Sequence, residues 1–200
     1  MKCIITGHTT GVAKVIYEHL TELGWNVVGI SRSTGYNLNT DVDKVVELSK
    51  GADLFINCAN VGRAQLELLE KLYNKVKRVI VFGSVAGDFH QQLQSEYSEH
   101  KRDLANRCFN LSLKPDVNIL HLNVSMMEDA VTGDVLISYK EVVDTIDFWL
   151  ANPRIRSIAY EFKLTPFTLQ NAKDKFNISK ESLELIVGNM CGDTKAMIDE

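Results

Sequence analysis

The chain lacks the features that mark the simplest function classes. Its four cysteines, Cys3, Cys58, Cys108 and Cys191, include no close pair. That argues against a disulfide-stapled secreted scaffold and fits reduced thiols in the cytosol. No histidines or cysteines recur at zinc-site spacing, so no metal is expected. Positive charge is not in excess: 22 lysines and arginines face 26 aspartates and glutamates, a net charge of −4. General attraction to nucleic acid or to an anionic membrane is therefore not expected. No stretch approaches the roughly 20 apolar residues of a membrane span. The first apolar run meets Gly7 after a few residues, unlike a secretory signal. Repeats and low-complexity tracts are missing too. What remains is a chain of 200 residues, 45% hydrophobic and 24% charged, long enough to bury one full core. The expectation is one cytoplasmic domain.

Short β-branched and apolar runs alternate with helical patterns. Residues 2–6, 26–31, 53–57, 78–83, 118–124 and 157–162 read as strands, with a weaker one at 36–39. Most are nearly continuous apolar runs, such as Val79-Ile80-Val81-Phe82, as in parallel strands covered on both faces. Between them, Val12, Val15, Ile16, Leu20 and Leu23 recur at helical spacing before Gly24, and further helices read over 63–77, 94–113 and 138–151. Another is expected from an N-cap at Ser179 to Gly192. Strands alternating with helices imply right-handed crossovers. The expected fold is α/β, a Rossmann-type doubly wound parallel sheet of about seven strands with helices on both faces. Residues 1–125 would hold the cofactor and catalytic core. Residues 126–200 would supply a short substrate lid, the last strand and the C-terminal helix.

The first strand runs directly into Thr6-Gly7-His8-Thr9-Thr10-Gly11. A helix N-terminus presents unpaired N–H groups and partial positive charge, so a strand–turn–helix unit with small residues can cradle a pyrophosphate. Two glycines at such a junction also serve plain turns; the strand before and the amphipathic helix after favour dinucleotide binding. The second strand ends Gly29-Ile30-Ser31-Arg32. An acidic residue at this tip would hold the ribose hydroxyls of NAD; Ser31 followed by Arg32 favours the 2′-phosphate of NADP. A solvated loop arginine is the competing reading.

Tyr97 and Lys101 lie four apart on a predicted helix, hence on one face. A free phenol has a pKa near 10, and an ammonium within ~4–6 Å lowers it by roughly 1–3 units. The phenol then becomes a usable acid for a carbonyl and base for an alcohol. The pair alone is weak, since chance yields ~0.4 such pairs here and Tyr73 with Lys77 is a decoy. Ser84 stands thirteen residues before Tyr97 at the end of a strand, and demanding it reduces the chance expectation to ~0.03.

Taken in order, the glycine turn, Asn57-Cys58-Ala59-Asn60, Ser84-Val85-Ala86-Gly87 and Tyr97 with Lys101 resemble the short-chain dehydrogenase/reductase family. The matches run from residue 3 to about residue 162, and Ala13 replaces the usual third glycine. The resemblance implies hydride transfer between a nicotinamide and a small carbonyl or alcohol substrate. Tyr97 would be the acid/base, Lys101 would act on the nicotinamide ribose and on the phenol, and Ser84 would position the substrate. Gly7, Thr9, Thr10, Gly11, Val12, Ser31, Arg32, Asn37, Asn57, Cys58 and Ala59, with Tyr97 and Lys101, would contact the cofactor, NADP being favoured over NAD. A homodimer or homotetramer through the helices at 63–77 and 94–113 is implied as well. Asn60 stands in place of a glycine, where a left-handed turn is conceivable. Only 27 residues separate Asn57 from Ser84, about half the family's usual spacing. The family's relay asparagine has no clear counterpart, Asn74 being the sole candidate on its helix. Two other readings stand: a dinucleotide-binding regulator or sensor with little or no turnover, and a nucleotide-sugar epimerase, disfavoured by length.

Overall fold

The computed structural model describes residues 1–124, 127, 137–152, 154, 155 and 157–159. The helix expected from Ser179, the last strand beyond Ala159 and most of the lid lie outside the described residues. Among these residues six strands form one sheet: β1 (Lys2–Thr6), β2 (Asn26–Ile30), β3 (Leu54–Asn57), β4 (Val79–Phe82), β5 (Ile119–Asn123) and β6 (Ser157–Ala159). The helices are α1 (Gly11–Glu22), α2 (Val42–Ser49), α3 (Ala64–Leu72), α4 (His90–Leu93), α5 (Glu96–Ser112) and α6 (Tyr139–Ala151). All pairings are parallel, in the order β2-β1-β3-β4-β5-β6. The connection from β2 crosses back over β1 to reach β3. That reversal opens a crevice at the carboxyl ends of β1 and β3, where such sheets take their ligands.

Double winding follows from the strands' alternation. Cys3, Ile5, Leu54, Ile56, Ile80, Phe82, Leu120 and Leu122 pack beneath α1 and α6 with Ile16, Leu20, Ile146 and Trp149. Their neighbours Ile4, Phe55, Val79, Val81 and Ile119 meet α2, α3 and α5 through Val45, Leu68, Leu72, Leu104 and Leu111. Both faces are apolar because both are covered. Each such side chain contributes roughly 1.5–3 kcal/mol by burial.

The expected strand at 36–39 is a turn, which leaves β2 at the edge and the described sheet at six strands rather than about seven. Local hydrogen bonds displace the ladder there. Asn37 N donates to Asp41 Oδ2 at 2.8 Å, and Asn39 N donates to the Asn37 side chain at 3.1 Å. Leu38 is buried, which accounts for the apolar alternation that suggested a strand. Helix α2, unanticipated, buries Val42, Val45, Val46 and Ser49 along one face. The long helix expected at 94–113 begins later, because Gln94 takes a left-handed φ of 45° and Ser95 then caps α5. Ser98 N donates to Ser95 Oγ and Ser95 N to Ser98 Oγ, both at 3.2 Å.

Candidate active site

At the end of β1, Thr6 is fully buried, and its hydroxyl accepts hydrogen bonds from Cys58 N and Ala59 N, each at 3.0 Å. This ties β1 to the segment after β3 across the switch point. Gly7 follows at φ +78°, and a β-carbon there would sit 3.2 Å from Ala59 Cα and Cβ. Glycine is thus required twice, by conformation and by close approach. Thr10 precedes α1 in extended conformation with no side-chain cap, and the first turn has no acidic residue. The helix therefore opens with no side-chain partner on its first N–H groups. Thr9 and Thr10 are exposed, whereas Val12 and Ala13 are buried. Val12 can meet a cofactor only through its backbone, and Ala13 packs helix on strand. Imidazole covers Gly29, where an added β-carbon would lie 2.4 Å from the His8 ring.

The tip of β2 is a short 3-10 turn, Arg32–Thr34. Thr34 Oγ1 accepts from Ser31 N at 2.9 Å, and Ser31 Oγ lies 2.7 Å from Ser33 Oγ. Arg32 is exposed and holds no ion pair among the described residues. Asn37 is exposed, but its side-chain oxygen is engaged in the turn before α2.

Below the crevice, Asn57 is buried and donates through Nδ2 to the Gln65 carbonyl at 2.7 Å; Cys58 and Ala59 are half-buried. The turn that follows takes its left-handed residue at Gly62, φ +46°, and not at Asn60. Asn74 is exposed in the turn after α3, a helix that ends at Leu72, at the opposite end of the sheet from Ser84. It has no part in the site.

Ser84 follows β4 and caps a 3-10 turn, Val85–Gly87, accepting from Ala86 N at 3.2 Å. Gly87 lets that turn lie on α5: a β-carbon there would be 2.8 Å from Arg102 N and 2.9 Å from Lys101 C. Gly83 has His121 against it in the same way, with Nε2 2.1 Å from a built β-carbon. Tyr97, on the first turn of α5, is 42% exposed, so the phenol is not turned into the interior. Lys101, one turn on, is 4% exposed, and its Nζ lies 5.6 Å from the centre of the Tyr97 ring. Burial pulls the Lys101 ammonium down to about 8. The surrounding titratable groups stay neutral near pH 7: burial pushes the Cys58 and Cys108 thiols up to about 12 and His121 down to about 4.

One residue at this centre escaped the sequence reading. Gln65, 3% exposed, donates from Nε2 to the carbonyls of Asn57 and Phe82, both at 2.9 Å. Its Oε1 accepts from Lys101 Nζ at 2.8 Å, and Nζ donates also to Phe82 O at 3.1 Å. Thirty-six residues separate glutamine from lysine, and no local spacing links them. Among the described residues no cluster of three metal-ligating side chains occurs, and no helix is long and apolar enough to cross a membrane.

No protein-family model matches the sequence, and no curated protein does. Solved structures do match in fold. The 3-alpha-hydroxysteroid dehydrogenase of Pseudomonas sp. B-0831, complexed with NADH, is 17% identical with a TM-score of 0.62 over 80% of this chain and 94% of that one. The 3-ketoacyl-(acyl-carrier-protein) reductase of Brucella melitensis, also complexed with NADH, is 13% identical with a TM-score of 0.65 over 79% and 96%. The UDP-N-acetylglucosamine 4-epimerase of Bacillus cereus is 10% identical with a TM-score of 0.62 over 80% and 75%. At these identities the likeness is one of architecture: the chain carries the Rossmann-type fold of short-chain dehydrogenase/reductase structures.

Proposed function

We propose that this chain is an NADP(H)-dependent oxidoreductase acting on a small carbonyl or alcohol, with Tyr97 as its acid and base. One arrangement carries the reading: a reachable phenol stands over a buried ammonium, on a helix held against the Ser84 turn at the carboxyl edge of a parallel sheet. A dinucleotide suits the residues present, since α1 opens with no side-chain cap on its first N–H groups and no acidic residue in its first turn, and Gly7 lets the turn before that helix lie close against Ala59 at the switch point. Gly7, Thr9, Thr10, Gly11 and the backbone of Val12 would receive the pyrophosphate, and Ser31, Arg32 and Asn37 the adenosine end. Asn57, Cys58 and Ala59 would line the crevice floor. When bound, the nicotinamide gives or takes the hydride.

The protein's own part is proton management. Tyr97 donates its phenolic proton to the carbonyl oxygen in reduction and recovers one from the alcohol in oxidation. Lys101 stabilises the phenolate that this creates, since a nearby positive charge favours the ionised form. Ser84 accepts Ala86 N on one lone pair, which leaves its O–H to donate to the substrate oxygen. Residues 1–125 are assigned to cofactor and chemistry, and 126–200 to the substrate side. Pairing of copies through α3 and α5 is in keeping with Phe109 on α5 and Leu113 just after it, which are 65% and 68% exposed.

Nucleotide binding and turnover are tested separately. Tyr97→Phe is expected to retain NADPH binding, followed by fluorescence titration, while turnover of ketones and aldehydes collapses. Equal turnover in the variant and wild type would refute the assignment and favour a nucleotide-binding sensor. Arg32→Ala should weaken NADPH at least tenfold, the loss of a charge-assisted bond, and leave NADH unaltered.

A further inference from the structure

Gln65 occupies an expensive position for a long amide. Ordering such a side chain in a buried site costs rotamer freedom, and every polar atom on it must find a partner. All of them do. The two N–H bonds go to Asn57 O and Phe82 O, which fixes the amide with Oε1 toward Lys101. The reverse orientation would set two N–H donors against an ammonium and an oxygen against two carbonyls, so it is excluded. Asn57 Nδ2 closes the clasp on the Gln65 carbonyl.

The lysine's surroundings make this contact consequential. Facing it are Tyr97 and Cys108 on its own helix, Cys58 after β3, His121 on β5, Gln65 on α3 and Phe82 O on β4. None of these is a carboxylate. Among the described residues the ammonium is hydrogen-bonded by two neutral oxygens only, and Gln65 supplies one of them.

We propose that Gln65 is a positioning residue, whose amide oxygen anchors the Lys101 ammonium beneath Tyr97 and helps to hold the proton on it. The inference rests on the reading of Tyr97 and Lys101 as the acid–base pair, yet its first test needs no turnover. The ionisation of Lys101 is followed by NMR of 13C-labelled lysine as pH is raised, in wild type, Gln65→Met and Gln65→Glu. Methionine keeps the length and removes the acceptor, so the midpoint should fall by at least one pH unit, tenfold in the ionisation constant. Glutamate adds a negative charge, so the midpoint should rise by a similar amount. The alkaline limb of the kcat profile should move the same way in each variant.

A midpoint in either folded variant that coincides with wild type would overturn the role of Gln65. Absence of turnover in wild type, with the midpoints displaced as stated, would instead refute the oxidoreductase reading and leave the anchor standing.

Discussion

Gly87→Ala tests whether the site is assembled by close backbone contact. Gly87 does not have a positive φ, so alanine meets no conformational obstacle there and the effect is steric alone. The new β-carbon would stand 2.8 Å from Arg102 N, 2.9 Å from Lys101 C and 3.2 Å from Arg102 Cα. Ordinary carbon contacts begin at ~3.5 Å, so the turn at Val85–Gly87 must retreat from α5 by roughly half an ångström or more. No side chain can swing aside, because the opposing atoms are backbone. Overpacking of this kind costs about 1–3 kcal/mol, offset by roughly 0.4–1 kcal/mol from a less flexible unfolded chain. Net destabilisation of about 0.5–2 kcal/mol is expected, read as a lower urea midpoint with unchanged slope. Ser84 starts this turn and Lys101 lies on the opposing helix, so turnover should fall by up to about 100-fold, the cost of ångström-scale misplacement. NADPH affinity should not change. A variant as stable as wild type, with full activity, would show that the turn does not bear on α5 and would refute the reasoning.

Other expectations follow from the buried and strained residues. Burial lowers Lys101 from 10.5 to about 8, so the folded state gives up this proton more readily than the unfolded chain. The resulting penalty is full below about pH 8 and fades as pH rises toward 10.5, amounting to ~3 kcal/mol at 1.36 kcal/mol per unit. Stability measured by urea unfolding should climb across that window in wild type and lose this climb in Lys101→Met; identical pH dependence in the two would contradict it. Gln94, at φ 45° between α4 and α5, bears a left-handed strain of order 1 kcal/mol. Gln94→Gly should therefore raise Tm by a few degrees, and a lowered Tm would mean that its side chain contributes more than its backbone costs.

The sequence was most readable where one local pattern had one structural outcome. Val79-Ile80-Val81-Phe82 reads as a covered parallel strand and is one, because helices pack on both faces. The turn after β1 was legible for the same reason, since Gly7 answers both to its φ and to Ala59. Reading failed where a tertiary contact decided. Leu38 is apolar because it enters the core from a turn, and the Asn37–Asp41 hydrogen bonds displace the strand its neighbours suggested. Helix α2 was missed although Val42, Val45 and Val46 stand at helical spacing. Gln65 could not be found at all, for its meaning depends on Lys101 and on two strand ends that only the folded sheet brings together.

These differences bear on what the site needs. The expected strand at 36–39 is a turn and α3 is only nine residues long, yet the strand ends at the switch point are tied firmly to their neighbours. The reason lies in three contacts at the sheet's carboxyl edge. Thr6 bonds the N–H groups of Cys58 and Ala59, Gly7 lies against Ala59, and Gly87 lies against Lys101 and Arg102. The first two join segments more than fifty residues apart, the third joins neighbouring elements, and none involves residues 36–39. The outer strand would extend the sheet beyond β2, on the side away from β3 and β4. The turn at 36–39 therefore bears on the Arg32 and Asn37 side, which is proposed for the adenosine end, rather than on Ser84, Tyr97 and Lys101. A sheet that ends at β2 is compatible with the proposed reaction centre, because Ser84, Tyr97 and Lys101 are placed by β4 and α5.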